Sequence, residues 1–256
     1  MLRAQTMGWS LRLVGMVEVS AVDDGGRVRD VGSRKARTLL ALLGARAGRT
    51  VGMDQVIDVL WEAKPPRSPE ANVATLVSRL RGKLGREVVF GGRGGYRLGD
   101  EIQVDLHEAA ALVAAAEGCL SQGASDRGLR AAERAIQLLD RGTVLTEYPS
   151  ANWADTARVM QEALLRRARH AAAESALHAA VPARALAVAQ SALADDPLDE
   201  TSCRAFMRAC VATGEPSRAM LAYERLRGDL AAELGADPAP ATRDLHVSIL
   251  RARTTG

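Results

Sequence analysis

The amino-acid sequence predicts a mainly α chain. An N-terminal α+β module of short strands, three helices and a closing hairpin spans residues 1–100, and an all-α helical-repeat region spans 101–256. Three observations predict this. Period-two alternation near the start gives way to helical periodicity, whereas from about Asp105 onward the chain is Ala/Leu-rich and helical almost throughout. Charge divides at the same place, with 17 basic and 10 acidic residues up to position 100 but 17 and 21 beyond it, in a chain whose net charge is only +3. Arg184-Ala185-Leu186 recurs 34 positions later as Arg218-Ala219-Met220, a spacing typical of stacked helix pairs.

Each element has a local cause. Trp9, Leu11, Leu13, Val17 and Val19 alternate with Arg12 and Glu18, broken by Gly15 and by Asp23-Asp24-Gly25-Gly26, which predicts short antiparallel strands. Ser33 reads as an N-cap for a helix whose buried face is Leu39, Leu40, Leu42 and Leu43. A second helix covers about 54–61 with Val56, Ile57, Val59 and Leu60 apolar, and Pro65, Pro66 and Pro69 stiffen a connector from Glu62 to Glu70.

The third helix, about 70–84, is the most informative. Val73, Leu76, Val77, Leu80 and Leu84 make one apolar stripe, and Thr75, Ser78, Arg79 and Gly82 fall opposite it, with Asn72 and Lys83 at its flanks. Small polar groups with one or two cations suit entry into a DNA major groove, because bulk would obstruct the approach while arginine reaches guanine and asparagine or threonine reaches base edges or phosphate. Two β-rich runs, 88–90 and 96–98, flank Gly91-Gly92-Arg93-Gly94-Gly95 and predict a hairpin with arginine at its tip.

Helices are expected near 106–120, 127–140, 153–179, 184–194, 199–213, 216–234 and 241–253. Small residues at Ala185, Ala189 and Ala192 before Asp196-Pro197 have tetratricopeptide-like spacing, echoed at Ala219, Tyr223 and Leu226. No run approaches the roughly 18–20 apolar residues of a membrane span. Cys119, Cys203 and Cys210 form no paired framework, which points to a reducing, cytoplasmic setting with buried thiols. His107, His170, His178 and His246 are scattered, without a nucleophile or metal frame around any of them. No catalytic residue, metal or cofactor is therefore expected.

The ordered motifs "RKARTLLALL" (34–43), "IDVLWEAKPP" (57–66), "ANVATLVSRLRGKLG" (71–85) and "GGYRL" (94–98) resemble the OmpR-type winged helix-turn-helix of the SARP/AfsR-type bacterial transcriptional regulators. "ADDPLDE" (194–200), "AMLAYERLRGDLAAELGADPAP" (219–240) and "LHVSIL" (245–250) resemble their bacterial transcriptional activation domain, and Gly52 stands where that family usually has a Ser or Thr cap.

The resemblance implies a non-enzymatic, sequence-specific activator. Its partners would be double-stranded promoter DNA, with direct repeats upstream of secondary-metabolite (antibiotic) biosynthesis genes, and RNA polymerase holoenzyme met by the 62–70 connector. It would be a homodimer at least on DNA. Asn72, Thr75, Ser78 and Arg79 would meet bases or nearby phosphate. Arg81 and Lys83 would neutralise phosphates, Arg93 would meet the minor groove, and Tyr96, Arg97, Arg34, Lys35 and Arg37 would touch further phosphates. Neither an appended ATPase or phosphopeptide-binding module nor a preceding receiver domain is expected. The rival reading is a tetratricopeptide-like interaction scaffold without specific DNA binding.

Overall fold

The computed structural model describes residues 8–22, 27–46, 48–62 and 64–254. Strand β1 (Trp9–Arg12) pairs antiparallel with β2 (Glu18–Ala21) and parallel with β5 (Ile102–Val104), giving a three-stranded sheet of order β2-β1-β5. The alternation sets the faces: Trp9, Leu11, Val19 and Ala21 are buried while their neighbours are partly exposed. The predicted Asp23–Gly26 turn lies outside the described residues.

Helix α1 (Arg34–Gly44) begins at Ser33, whose Oγ accepts the Ala36 N–H at 3.3 Å. At its far end a Cβ on Gly44 would lie 2.6 Å from Leu11 Cδ2, so any larger residue there would have to displace the buried Leu11 methyl between α1 and the sheet. Helix α2 (Met53–Trp61) starts at Gly52 with no side-chain cap, as the missing hydroxyl implies. Helix α3 (Pro69–Leu84) takes Pro69 into its first turn, where the absent N–H costs nothing, rather than leaving it in the connector. A single 3₁₀ turn (Arg86–Val88) then leads into the antiparallel hairpin of β3 (Val89–Gly92) and β4 (Gly95–Leu98), which closes on Arg93-Gly94.

The remaining helices are α4 (Asp105–Ser121), α5 (Ser125–Leu139), α6 (Asp155–His178), α7 (Pro182–Asp195), α8 (Glu200–Ala212), α9 (Pro216–Leu234) and α10 (Pro240–Thr254). Among the described residues no helix is long and apolar enough to cross a membrane. The chain forms two compact units, residues 1–109 with 138–162, and residues 110–137 with 163–256. Residues beyond the predicted boundary at 100/101 thus return to complete the first unit.

In that first unit the 138–162 segment is bound to the N-terminal strands by backbone pairing and by Glu147, and its buried Leu139, Val144 and Leu145 join the core. Val14 bridges Val144, and the Leu145 N–H donates to the Leu13 carbonyl at 2.7 Å. Buried Gln161 is fully used, accepting the Val144 N–H and donating to the Leu139 and Gly142 carbonyls, each at 2.7 Å. Asp105 is 6% exposed and accepts three backbone N–H groups, from Leu13, Val14 and Leu106. Burial nonetheless pushes its carboxyl above the ordinary range.

The second unit is a run of helical hairpins in which α8 packs on both α7 and α9, and α10 packs on both α8 and α9. Its core holds Phe206, Met207, Cys210, Tyr223, Leu226 and Leu230, beside an alanine layer of Ala116, Ala132, Ala172, Ala176, Ala185 and Ala209 that permits close helix approach. Cys203 is buried, which drives its thiol up to about 12 and leaves it inert. The Glu200 carboxylate on α8 accepts the Ala239 N–H and the Thr242 hydroxyl, capping the start of α10.

Candidate nucleic-acid interface

Helix α3 is held by its apolar stripe. Val73, Val77, Leu80 and Leu84 are buried, Leu76 partly so, and the indole N–H of Trp9 donates to the Leu84 carbonyl at 2.6 Å. That bond satisfies an otherwise free C-terminal carbonyl and fixes the helix end against the sheet strand. The opposite face, Ala71, Thr75, Ser78, Arg79 and Gly82, is exposed, as is Asn72, and the Lys83 side chain is 45% accessible. Thr75 Oγ1 donates back to the Ala71 carbonyl at 2.9 Å. Arg79 makes no ion pair among the described residues.

Gly82 is informative because nothing within the unit requires it. A Cβ built there meets nothing within 4 Å, yet glycine in a helix interior costs about 0.5–1 kcal/mol relative to alanine. A smooth, uncommitted helix face with one free guanidinium is what close approach to a groove demands.

The cations expected to meet DNA separate into two groups. Arg34 at the start of α1, Arg79 on α3 and Arg93 at the hairpin tip are exposed and unpaired among the described residues. The others are engaged internally. Lys35 Nζ lies 4.3 Å from the centre of the Trp61 ring, and Arg37 pairs with Glu147 at 2.9 Å, whose other oxygen accepts the Val17 N–H. Lys83 reaches the Asp30 carbonyl at 3.2 Å and its carboxylate at 3.5 Å. The Gly32 N–H, then Lys83, hold the Asp30 carboxyl below its usual range. Arg97 pairs with Asp100 at 2.9 Å and lies over the Phe90 ring. Arg81 binds strand β3 instead of standing free.

Tyr96 is a correction. It is 4% exposed and belongs to the core, where its backbone exchanges two hydrogen bonds with Val51, so it is not a surface phosphate contact. Arg86, just past the Gly85 cap of α3, is an exposed cation that the periodicity argument passed over, because it lies outside any helix face. The connector ahead of α3 opens with Glu62 at φ 51°, ψ −126°, a conformation costly for any residue but glycine.

Two of the four histidines have partners inside the second unit. His170 Nε2 lies 2.5 Å from Asp199, which also caps α8 through the Thr201 and Ser202 N–H groups, and His246 stacks on Tyr223. Among the described residues no three His, Cys, Asp or Glu side chains gather as a metal site.

Residues 104–250 match the model of the bacterial transcriptional activator domain. The chain is 34% identical over 229 residues to Regulatory protein AfsR of Streptomyces coelicolor, covering 89% of this chain and 23% of that protein. It is 31% identical over 257 residues to Transcriptional regulator RedD of the same organism, covering 94% and 70%. The solved structure of Mycobacterium tuberculosis EmbR in complex with low affinity phosphopeptide matches with a TM-score of 0.84 at 27% identity, over 96% of this chain and 66% of that one. The chain thus spans less than a quarter of AfsR but most of RedD. With a winged helix ahead of that domain, the chain belongs to the SARP/AfsR-type family of bacterial transcriptional regulators.

Proposed function

We propose that this protein is a sequence-specific, non-enzymatic transcriptional activator that lays α3 in the major groove of promoter DNA and sets the β3–β4 wing on the neighbouring minor groove. The exposed α3 face carries this reading: free Arg79 among Ala71, Thr75, Ser78 and Gly82, with no internal use for the missing side chain at Gly82. Two copies would bind direct repeats upstream of secondary-metabolite genes, and the strained connector at Glu62 would face RNA polymerase holoenzyme. The tetratricopeptide-like helices would serve self-association. A groove of about 510 Å³ between α7 and α9, lined by Leu193, Phe206, Leu221 and Leu226, supports a protein-contact role for the second unit beside DNA binding.

The test is duplex binding across a salt series. Counterion release makes log affinity fall linearly with log salt, and Arg79→Ala is expected to cost about 1–3 kcal/mol on the selected site while relaxing one base preference. Binding indifferent to salt would favour the scaffold reading. An Arg79→Ala chain with unchanged preference would remove that residue from recognition.

A further inference from the structure

The tip of the wing has little to hold it. Four of residues 91–95 are glycine, and a Cβ on Gly92 or Gly94 would meet nothing within 4 Å. Val51 holds the β4 side of the hairpin, but β3 has no further strand beside it, so its outer edge needs another source of order if Arg93 is to arrive anywhere reproducible.

Ladder geometry identifies that source. Tyr96 turns both its N–H and its carbonyl toward Val51, at 2.9 and 2.8 Å. In an antiparallel pair the residue opposite must likewise point away from its partner strand, so Gly91, opposite Tyr96, directs its carbonyl outward. Val89, opposite Leu98, does the same two residues earlier. The Gly99 N–H donating to the Val88 carbonyl at 2.9 Å fits the same alternation. The outer edge of β3 therefore presents two carbonyls without a strand to receive them. Arg81 meets both, Nε donating to Val89 O at 2.9 Å and a terminal nitrogen to Gly91 O at 3.3 Å.

We propose that Arg81 is a positioning residue for DNA recognition: its guanidinium stands in for a further strand along β3 and locks the wing carrying Arg93 to the last turn of α3. Helix and wing then reach the duplex as one rigid reader. The proposal rests on the DNA-binding reading above. Planarity matters more than charge here, since lysine offers no rigid fork to span two carbonyls.

The full-length chain tests this as wild type, Arg81→Lys, Arg93→Ala and the double variant. In the free protein, Arg81→Lys should raise amide hydrogen exchange at Phe90, Gly92, Gly95 and Arg97, the residues paired across the ladder, at least about tenfold while the Val77–Leu80 amides keep their protection. Unchanged wing exchange would overturn the clamp. On a duplex selected from a randomised pool by the wild-type chain, Arg93→Ala should flatten the salt slope by about 1. Arg81→Lys should lose the same increment, and the double variant no more than either single change. Additive losses, or an Arg81→Lys chain with a wild-type slope, would make Arg81 an independent contact or a purely internal one, and either refutes positioning. A wild-type chain that selects no duplex would instead remove the DNA-binding reading, with wing exchange still judging the clamp.

Discussion

Replacing Gly82 by alanine should make this protein more stable and worse at its proposed task. The position lies inside α3, two residues before its end at Leu84, where alanine is favoured over glycine by about 0.5–1 kcal/mol. No steric cost offsets the gain, because the added methyl meets nothing within 4 Å. For a folding unit of this size that gain raises the melting temperature by roughly 2–4 °C, readable by calorimetry. The same methyl stands on the face that carries Thr75, Ser78 and Arg79, and would intrude where the helix backbone nears the groove. Duplex affinity, followed by fluorescence anisotropy at fixed salt, should fall at least about tenfold, or about 1.4 kcal/mol. A higher melting temperature with unchanged affinity would show that this face does not approach DNA. A lower melting temperature would show that Gly82 has a structural role.

Two further outcomes follow from buried carboxylates. Asp105→Asn puts an amide donor against one of three converging N–H groups and should lower the stability of the first unit by about 1–3 kcal/mol, read from its urea midpoint at constant slope. In the second unit, burial works to raise the Asp199 carboxyl, but hydrogen bonds from His170 and Ser202 outweigh it and hold it at about 2. A depressed folded value means stabilisation present above the unfolded value near 4 and lost as pH falls toward 2, at most about 2 kcal/mol. An Asp199→Asn chain should therefore be weaker at pH 6 and lose less between pH 4 and pH 2. Parallel acid profiles for the two proteins would refute the assignment.

What the sequence made legible was whatever is encoded within one helix turn or one strand. The α3 stripe, the Ser33 cap, the Arg93 hairpin and the seven later helices are all local patterns, and the structure places them within a few residues of expectation. Long-range pairing was not legible. Nothing near Arg37 announces Glu147, 110 residues away, and nothing in "GGYRL" shows that Tyr96 faces Val51 and the core. The return of residues 138–162 to the first unit escapes periodicity for the same reason, since it is carried by backbone hydrogen bonds to Leu13 and Gly15, by Glu147, and by buried Leu139, Val144 and Leu145, none of which names its partner locally.

That distinction changes the expected electrostatics of binding. Eight cations fit the winged-helix motif, and if all neutralised phosphates the salt slope would be about −7. Five of them, Lys35, Arg37, Arg81, Lys83 and Arg97, already face an aromatic ring, a carboxylate or a strand edge. Moving Arg37 or Arg81 to a phosphate would exchange one satisfied partner for another and leave the partly buried Glu147 or the β3 carbonyls uncompensated. Only Arg34, Arg79 and Arg93 are uncommitted among the eight, and with the exposed Arg86 they make four, so one copy on DNA should show a slope of about −4. Anisotropy titrations between 50 and 300 mM salt (about a sixfold range, enough to resolve the two values) measure this directly. A slope near −7 would mean that the internal partners release their cations on binding, and the rigid-reader picture would give way to one in which the first unit rearranges on the duplex.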